Sequence, residues 1–587
     1  MGNESLNHSR DKIVESSRVS CRDCYRCIRV CPVKAIRVTK GKTHIEENRC
    51  IRCGACVREC FIHVRSTASD FRAVQQHIRA NRFVVASVDP AFPALFQDWR
   101  TSRLAAALRA LGFTAVHEAA EAIPAVARAV QALPRAEGIL PNCPAVVNYV
   151  EQYFPQMVDK LLPVASPMIV HGRMLRQEYG KSAVIVYIGP CSAKVYEAHR
   201  PENAGLVDCV ITFQELLGWI SREHRDMAAL EEVPFDCVVS LAGTEAMNAR
   251  IAALQGGLLH SCGYSWHPGE TEAYSLSGTQ DVTDFLTELS RGTMGGMLVE
   301  PLFCHGGCCN GPNFPRHGDT FVAKRAAVLR YAGSAPALEA RGDCAPVPAE
   351  ADYAARPYVP ERTVTELEIA EILKKQGQNV SGQQYNCGAC GYKTCRERAI
   401  AILEGMAEPE MCFPYMRAQL RQRTDRIVDA LPCGVVQLDE ELRIRRMNGS
   451  FAKMFLCNDG VLGKRISYLI SDEGFDKLIA EALDSYETVR SKYGIRYHEI
   501  VFPMPDEQEY IGIYTDISAL KIDSYQIDLI KRQTLENAKD LLRQQISFSQ
   551  ELAAYIGRNE ARSEALVKQI VALLEDADAG GAADEIS

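Results

Sequence analysis

The stretch Glu300–Pro312, EPLFCHGGCCNGP, sets Cys304, Cys308 and Cys309 among glycines. A disulfide does not suit so tight a turn, and one loop cannot complete a metal's coordination shell. The remaining ligands must come from elsewhere in the chain. Candidates are plentiful, because the sequence holds 23 cysteines and most fall in tight groups. Grouped cysteines in an intracellular chain read as metal ligands rather than as a disulfide framework. Thiolates are soft ligands that suit iron–sulfur clusters, and a cluster needs about four of them converging from short, bendable loops.

Cys21, Cys24, Cys27 and Cys31 follow C-x2-C-x2-C-x3-C, with Pro32 next; Cys50, Cys53, Cys56 and Cys60 repeat the spacing, with Phe61 in place of the proline. The double run resembles the bacterial two-cluster ferredoxins, in which the fourth cysteine of each run serves the other cluster. The resemblance implies one [4Fe–4S] cluster on Cys21, Cys24, Cys27 and Cys60, and a second on Cys50, Cys53, Cys56 and Cys31. Cys387, Cys390, Cys395 and Cys412 follow C-x2-C-x4-C-x16-C. They resemble the small four-cysteine [4Fe–4S] module of several anaerobic redox enzymes. Zinc is the alternative reading for each group.

Three more segments place cysteines in Gly/Pro loops: LPNCPAVVNYVEQYFP with Cys143, IGPCSAKVYEAHRPE with Cys191, and the opening loop with Cys304 and Cys308. Residues 80–315 resemble the catalytic domain of [FeFe]-hydrogenases, whose motifs are TSCCPxW, MPCxxKxxE and ExxxCxxGCxxGxG. The segments SPMIVHGRML and VDCVITFQELL support the resemblance. It implies that Cys143, Cys191, Cys304 and Cys308 hold the [4Fe–4S] part of an H-cluster. Cys308 then bridges to a two-iron subsite bearing CO and cyanide, Lys194 serves a cyanide, and Glu300 is the third motif's glutamate. Cys309 reads as a packed thiol. Three positions depart from the family. Asn142 stands where a proton-relaying cysteine is usual, Gly189 replaces a methionine, and Met168 replaces a glutamine. An amide is not an acid–base relay near neutral pH, and IPAVARAVQALP upstream lacks the family's relay carboxylates. The cage therefore reads as kept and the proton path as cut, which implies low turnover.

These sites require a multidomain chain of mixed α/β and α+β class. The expected divisions are a ferredoxin domain at 15–70, an H-cluster domain at 80–330, an Ala/Pro-rich linker at 333–362 and a cluster module at 363–420. Then follow a small α+β domain at 424–520, a helical segment at 521–576 and a disordered tail at 577–587. Residues 424–520, including Asn448, resemble a PAS domain, expected here without a bound cofactor and with Cys433 and Cys457 as core thiols. After it, Leu535, Ala538, Leu542, Ser549, Leu552 and Ile556 form a broken heptad-like stripe. That stripe is either a helix packed on its own domain or a dimerising signal helix.

The net charge of −8, from 66 basic and 74 acidic residues, gives no nucleic-acid footprint. No apolar run reaches about 18 residues, and the N-terminus has no signal core, so a cytoplasmic protein without membrane contact is expected. The combined expectation is a sensory [FeFe]-hydrogenase with H₂ and protons as substrates, an H-cluster and three accessory [4Fe–4S] clusters. Its expected partners are a second copy of itself, maturation proteins and a separate kinase- or phosphatase-type signalling protein. The alternatives are a catalytic hydrogenase using a ferredoxin-like carrier, and a non-enzymatic iron–sulfur scaffold.

Overall fold

The computed structural model describes residues 14–16, 21, 23–97, 99–133, 137–223, 226–264, 273–315, 319–340, 346–360, 362–378, 384–504 and 509–518. The expected signal helix at 521–576 and the tail at 577–587 lie outside the described residues. The chain forms two units, residues 1–418 and residues 419–587.

The centre of the first unit is a four-stranded parallel sheet in the order Ala115–Glu118, Val84–Val88, Val184–Gly189, Cys209–Thr212. All four strands are buried along their whole length, as befits a parallel sheet covered by helices on both faces. Side chains alternate between the faces. Val85, Ile185 and Tyr187 enter one core, whereas Val84, Ala86, Val88, Val184, Val186 and Ile188 enter the other. A second parallel sheet joins Ala273–Ser277, Leu298–Leu302 and Gly138–Ile139.

The N-terminal cysteine segment is a folded duplication. Positive φ occurs at Asp23, Tyr25 and Lys34 and again at Arg52, Gly54 and His63, the equivalent positions of the two runs. Each run bends around its cysteines and enters a short helix, Arg26–Val30 or Ala55–Glu59. The strand Val14–Ser16 closes the segment by pairing with Arg65–Thr67. Gly54 stands where the first repeat has Tyr25 because a Cβ there would lie 2.6 Å from Pro312 and 2.7 Å from Ser192. The ferredoxin-like segment therefore packs tightly on the central domain, and Val33, Ala35 and Ile51 share a core with Val146, Val150 and Ala193.

The stretch 333–362 is not the expected linker. Its first residues finish the helix Phe321–Ser334, and the described remainder is a strap across the central domain. Leu338 and Leu241 exchange backbone hydrogen bonds of 2.9 Å; Ala349 accepts from Ala165, and Arg356 and Tyr358 donate to Glu151 and Gln152. Extended Ala- and Pro-rich chain still offers backbone groups that a neighbouring segment can satisfy.

Arg250 lies buried against Glu118 through two bonds, 2.9 and 3.0 Å, and Tyr331 also donates to that carboxylate. Removing one partner of a buried pair leaves the other uncompensated. Arg250→Ala is expected to cost about 3–5 kcal/mol, read as a lower melting temperature of the cluster-loaded protein.

The second unit holds a five-stranded antiparallel sheet: Gly434–Leu438, Ile444–Met447, Tyr486–Lys492, Ile495–Pro503 and Tyr510–Asp516. Counted in chain order, the strands lie side by side as 2-1-5-4-3. Phe451, Phe455, Phe475, Tyr497 and Tyr514 fill its core. Asn448 staples three segments. Its carbonyl accepts from the Val435 and Phe451 amides, and its amide donates to Val428 and Cys433 carbonyls, all at 2.8–2.9 Å. Cys457 is half-buried against that core and Cys433 against its neighbour.

Candidate functional site

Both parallel sheets aim their C-terminal strand ends at one place, where open α/β sheets usually bind ligands. Asp89 follows Val84–Val88, Cys191 follows Val184–Gly189, Cys143 follows Gly138–Ile139, and Cys304 follows Leu298–Leu302. Cys143 and Cys191 are the N-caps of the helices Pro144–Tyr153 and Ser192–Ala198. The Ala145 and Val146 amides lie close enough to Cys143, and the Ala193 and Lys194 amides to Cys191, to favour the ionised sulfur. Helix N-termini stabilise anionic sulfur in this way. Cys304 and Cys308 arrive on the Gly-rich loop. Gly307, at φ +105°, passes so close to the Ala253 carbonyl that a Cβ would sit 2.5 Å from it, so only glycine fits.

The structure gathers all four thiols. Burial raises the pKa of each, and mutual repulsion adds to it: Cys304 feels Cys191 and Cys143, and Cys308 feels Cys191, Cys304 and Cys143. Cys191 is pushed up to about 12. Four buried thiols that oppose one another's ionisation fit a site in which bound metal takes the negative charge. Cys309 turns away; its thiol is buried and donates weakly to the Gly306 carbonyl at 3.8 Å.

Lys194 reaches this space as a buried cation. Burial lowers its pKa, but Glu197, Cys191, Asp89 and Cys308 together raise it above the usual lysine value. Its ammonium lies 3.4 Å from Glu197 and 5.5 Å from the centre of the Tyr187 ring. Tyr187 donates to Asp89. These two residues explain Gly189: a Cβ there would lie 2.8 Å from the Tyr187 ring and 3.2 Å from Asp89. Restoring the family methionine by Gly189→Met is expected to cost about 1–3 kcal/mol through overpacking, measured by thermal unfolding. Met168 is buried in the same core as Tyr187 and Val195.

Asn142 donates a 3.0 Å hydrogen bond to Glu300. Its own carbonyl oxygen is buried with no hydrogen-bond partner among the described residues. Burial raises Glu300 to about 7, against the opposing bonds from Leu259, Leu258, Asn142 and Gly256. The stretch IPAVARAVQALP does lack acids, but Glu300, a carboxyl raised by burial, is hydrogen-bonded to Asn142. Glu118 and Glu121 also lie just ahead of the stretch that lacks acids.

Residues 82–312 match the family profile of the iron-only hydrogenase large subunit, C-terminal domain. The chain is hydrogenase-like, with iron–sulfur domains on either side. Residues 13–61 match a 4Fe-4S dicluster domain, and residues 383–414 match a putative Fe-S cluster family. Among curated proteins, the chain is 25% identical over 393 residues to the NADP-reducing hydrogenase subunit HndD of Solidesulfovibrio fructosivorans. The match covers 54% of this chain and 67% of that one. Iron hydrogenase 1 of Clostridium pasteurianum is 24% identical over 377 residues, 52% of this chain and 65% of its own. The chain thus spans about two thirds of the length of these relatives. The cytosolic Fe-S cluster assembly factor NAR1 of Vanderwaltozyma polyspora is 38% identical over 84 residues, 14% of this chain and 16% of its own. Among solved structures, [FeFe]-hydrogenase HydA1 from Chlamydomonas reinhardtii covers 49% of this chain and 99% of its own, at 18% identity and TM-score 0.36. A PAS domain of an HTR-like protein from Haloarcula marismortui covers 17% of this chain and 95% of its own, at 17% identity and TM-score 0.16.

The hydrogenase-like domain is adjoined by the other cysteine groups. Cys27 lies among Cys24, Cys21 and Cys60, whereas Cys56 lies among Cys50, Cys53 and Cys31. Each run thus sends its fourth cysteine to the other group. Cys53 is close enough to Cys143, and Cys304 to Cys53, for their charges to interact. On the far side, Lys34 donates to the Gly391 carbonyl at 3.1 Å and senses both Cys31 and Cys390. Cys387, Cys390, Cys395 and Cys412 line one small cavity. The cysteine groups form a continuous series from this cavity, through the ferredoxin-like segment, to the hydrogenase-like centre.

Sequence reading missed Asp89 and Tyr187. The available signal was positional: Asp89 ends a buried parallel strand, where site residues collect.

Proposed function

We propose that this chain is a low-turnover sensory [FeFe]-hydrogenase. The single observation that carries the proposal is the four-thiol centre beside the buried Lys194 ammonium, with an amide at the relay position. Cys143, Cys191, Cys304 and Cys308 would hold an H-cluster, which supplies reversible cleavage of H₂. Lys194 keeps a positive charge beside Cys191 and Cys308, suited to an anionic diatomic ligand. Asn142 holds Glu300 by a hydrogen bond but cannot pass its proton by ionising. Proton delivery is then slow while electron transfer stays open, because the three accessory cysteine groups, each read as a [4Fe–4S] site, lie in series. Slow cleavage suits a protein that reports H₂ rather than processing it.

The unit at 419–518 is read as the PAS output. Its 2-1-5-4-3 sheet and the Asn448 staple support that reading. Signal would pass onward through the segment after residue 518 to a second copy and a separate partner. The test is to expose the matured, cofactor-loaded chain to H₂ in the absence of any added carrier. Reduced-cluster resonance signals should appear, with altered hydrogen exchange within residues 419–587. Unreduced clusters would remove the hydrogenase reading; reduction with unchanged exchange would remove the sensory one. A scaffold reading draws on the local similarity to NAR1, and the retained Lys194 weighs against it.

A further inference from the structure

Within the hydrogenase-like domain a second ligand set lies apart from the cysteines. His117 is in the strand Ala115–Glu118, Glu121 is in the short helix that follows, and His171 is in the helix Pro167–Tyr179. All three side chains are fully buried. One ligand atom from each lies within 4.8 Å of the other two, and no other set of His, Cys, Asp or Glu among the described residues meets that spacing. His117 Nδ1 is 3.0 Å and His171 Nε2 3.8 Å from the same Glu121 oxygen. A tetrahedral ion with bonds of about 2.0–2.1 Å separates its ligands by about 3.3 Å, between those two distances. At 3.8 Å the second contact is too long for a hydrogen bond, so His171 Nε2 is buried facing Glu121 with no hydrogen-bond partner among the described residues.

The atoms facing outward are all held. His117 Nε2 lies 2.8 Å from the Tyr179 hydroxyl, and His171 Nδ1 lies 2.7 Å from the Ser87 hydroxyl. The second Glu121 oxygen accepts from the Val238 and Val239 amides at 2.6 and 3.2 Å. Ligating imidazoles are usually fixed in this way at the nitrogen remote from the metal. A cleft of about 1250 Å³ is lined by Tyr179, Cys237 and Val238, the outer side of the same network.

We propose that His117, Glu121 and His171 bind a divalent first-row transition ion through two imidazoles and a carboxylate. The ion would tie the helix Pro167–Tyr179 to the sheet edge and to the loop at 238–239.

The test uses the full chain with its iron–sulfur clusters loaded, equilibrated anaerobically with zinc and then freed of loose metal. About one zinc per chain should remain, with an X-ray absorption shell of nitrogen and oxygen at about 2.0–2.1 Å. His171→Gln should lower zinc retention at least about fivefold while iron content is unchanged. Ser87→Ala, a milder change, should weaken zinc binding about 10- to 100-fold. No retained zinc would overturn the proposal. So would a sulfur shell at about 2.3 Å, which marks zinc on cysteines, or retention unchanged in both variants.

Discussion

Cys308→Ser is expected to abolish hydrogen chemistry while sparing the rest of the chain. The Gly306–Gly307 turn presents Cys308 to Cys143, Cys191 and Cys304, and Lys194 carries its charge toward the same thiol. Serine keeps the shape but offers a hard, weakly acidic oxygen in place of a soft thiolate. H₂ uptake and evolution should fall to background. The groups at Cys21–Cys60 and Cys387–Cys412 should keep their iron, because their ligands lie on separate loops. Cys309→Ala is the control one residue away. Its thiol packs in the core and bonds weakly to the Gly306 carbonyl, so activity should change less than about threefold, with a stability loss of about 1 kcal/mol. Equal loss of activity in both variants would mean that the loop, not the Cys308 ligand, was damaged.

Asn142→Cys should raise turnover by about 10²-fold, the lower end of what a positioned acid–base group contributes. The substitution places an ionisable thiol beside Glu300, a carboxyl that burial raises above the usual carboxylate range. Loss of the Asn142 hydrogen bond raises that carboxyl further, so it can hold a proton beside the thiol. The gain should therefore depend on Glu300. Asn142→Cys combined with Glu300→Gln should fall back to the parent rate. A single Asn142→Cys variant as slow as the parent would show that proton delivery through this position does not limit the reaction.

The cysteine groups were legible because each set is written as local spacing on short loops. Tertiary relations were less so. Asp89 and Tyr187 meet only because two parallel strands run side by side, and nothing in either segment announces the other. The same pairing explains Gly189, which sequence presents as an unexplained loss of methionine. The 333–362 stretch misled because Ala and Pro suit an extended strap as well as a free linker; only its backbone partners distinguish the two. In the second unit the strand Tyr486–Lys492 went unseen. It is an edge strand of largely polar residues, YETVRSK, and edge strands need little apolar pattern. Asn448 was legible because its side chain caps the helix that follows its strand.

The most direct measurement is the infrared spectrum of the anaerobically matured protein, recorded under argon and then under H₂. Bands of iron-bound CO and cyanide that shift when H₂ is admitted are the predicted result. They would place the two-iron chemistry at the Cys308 centre, beside Lys194. A competently matured chain showing no such bands would contradict the account, leaving Cys143, Cys191, Cys304 and Cys308 around a plain cluster.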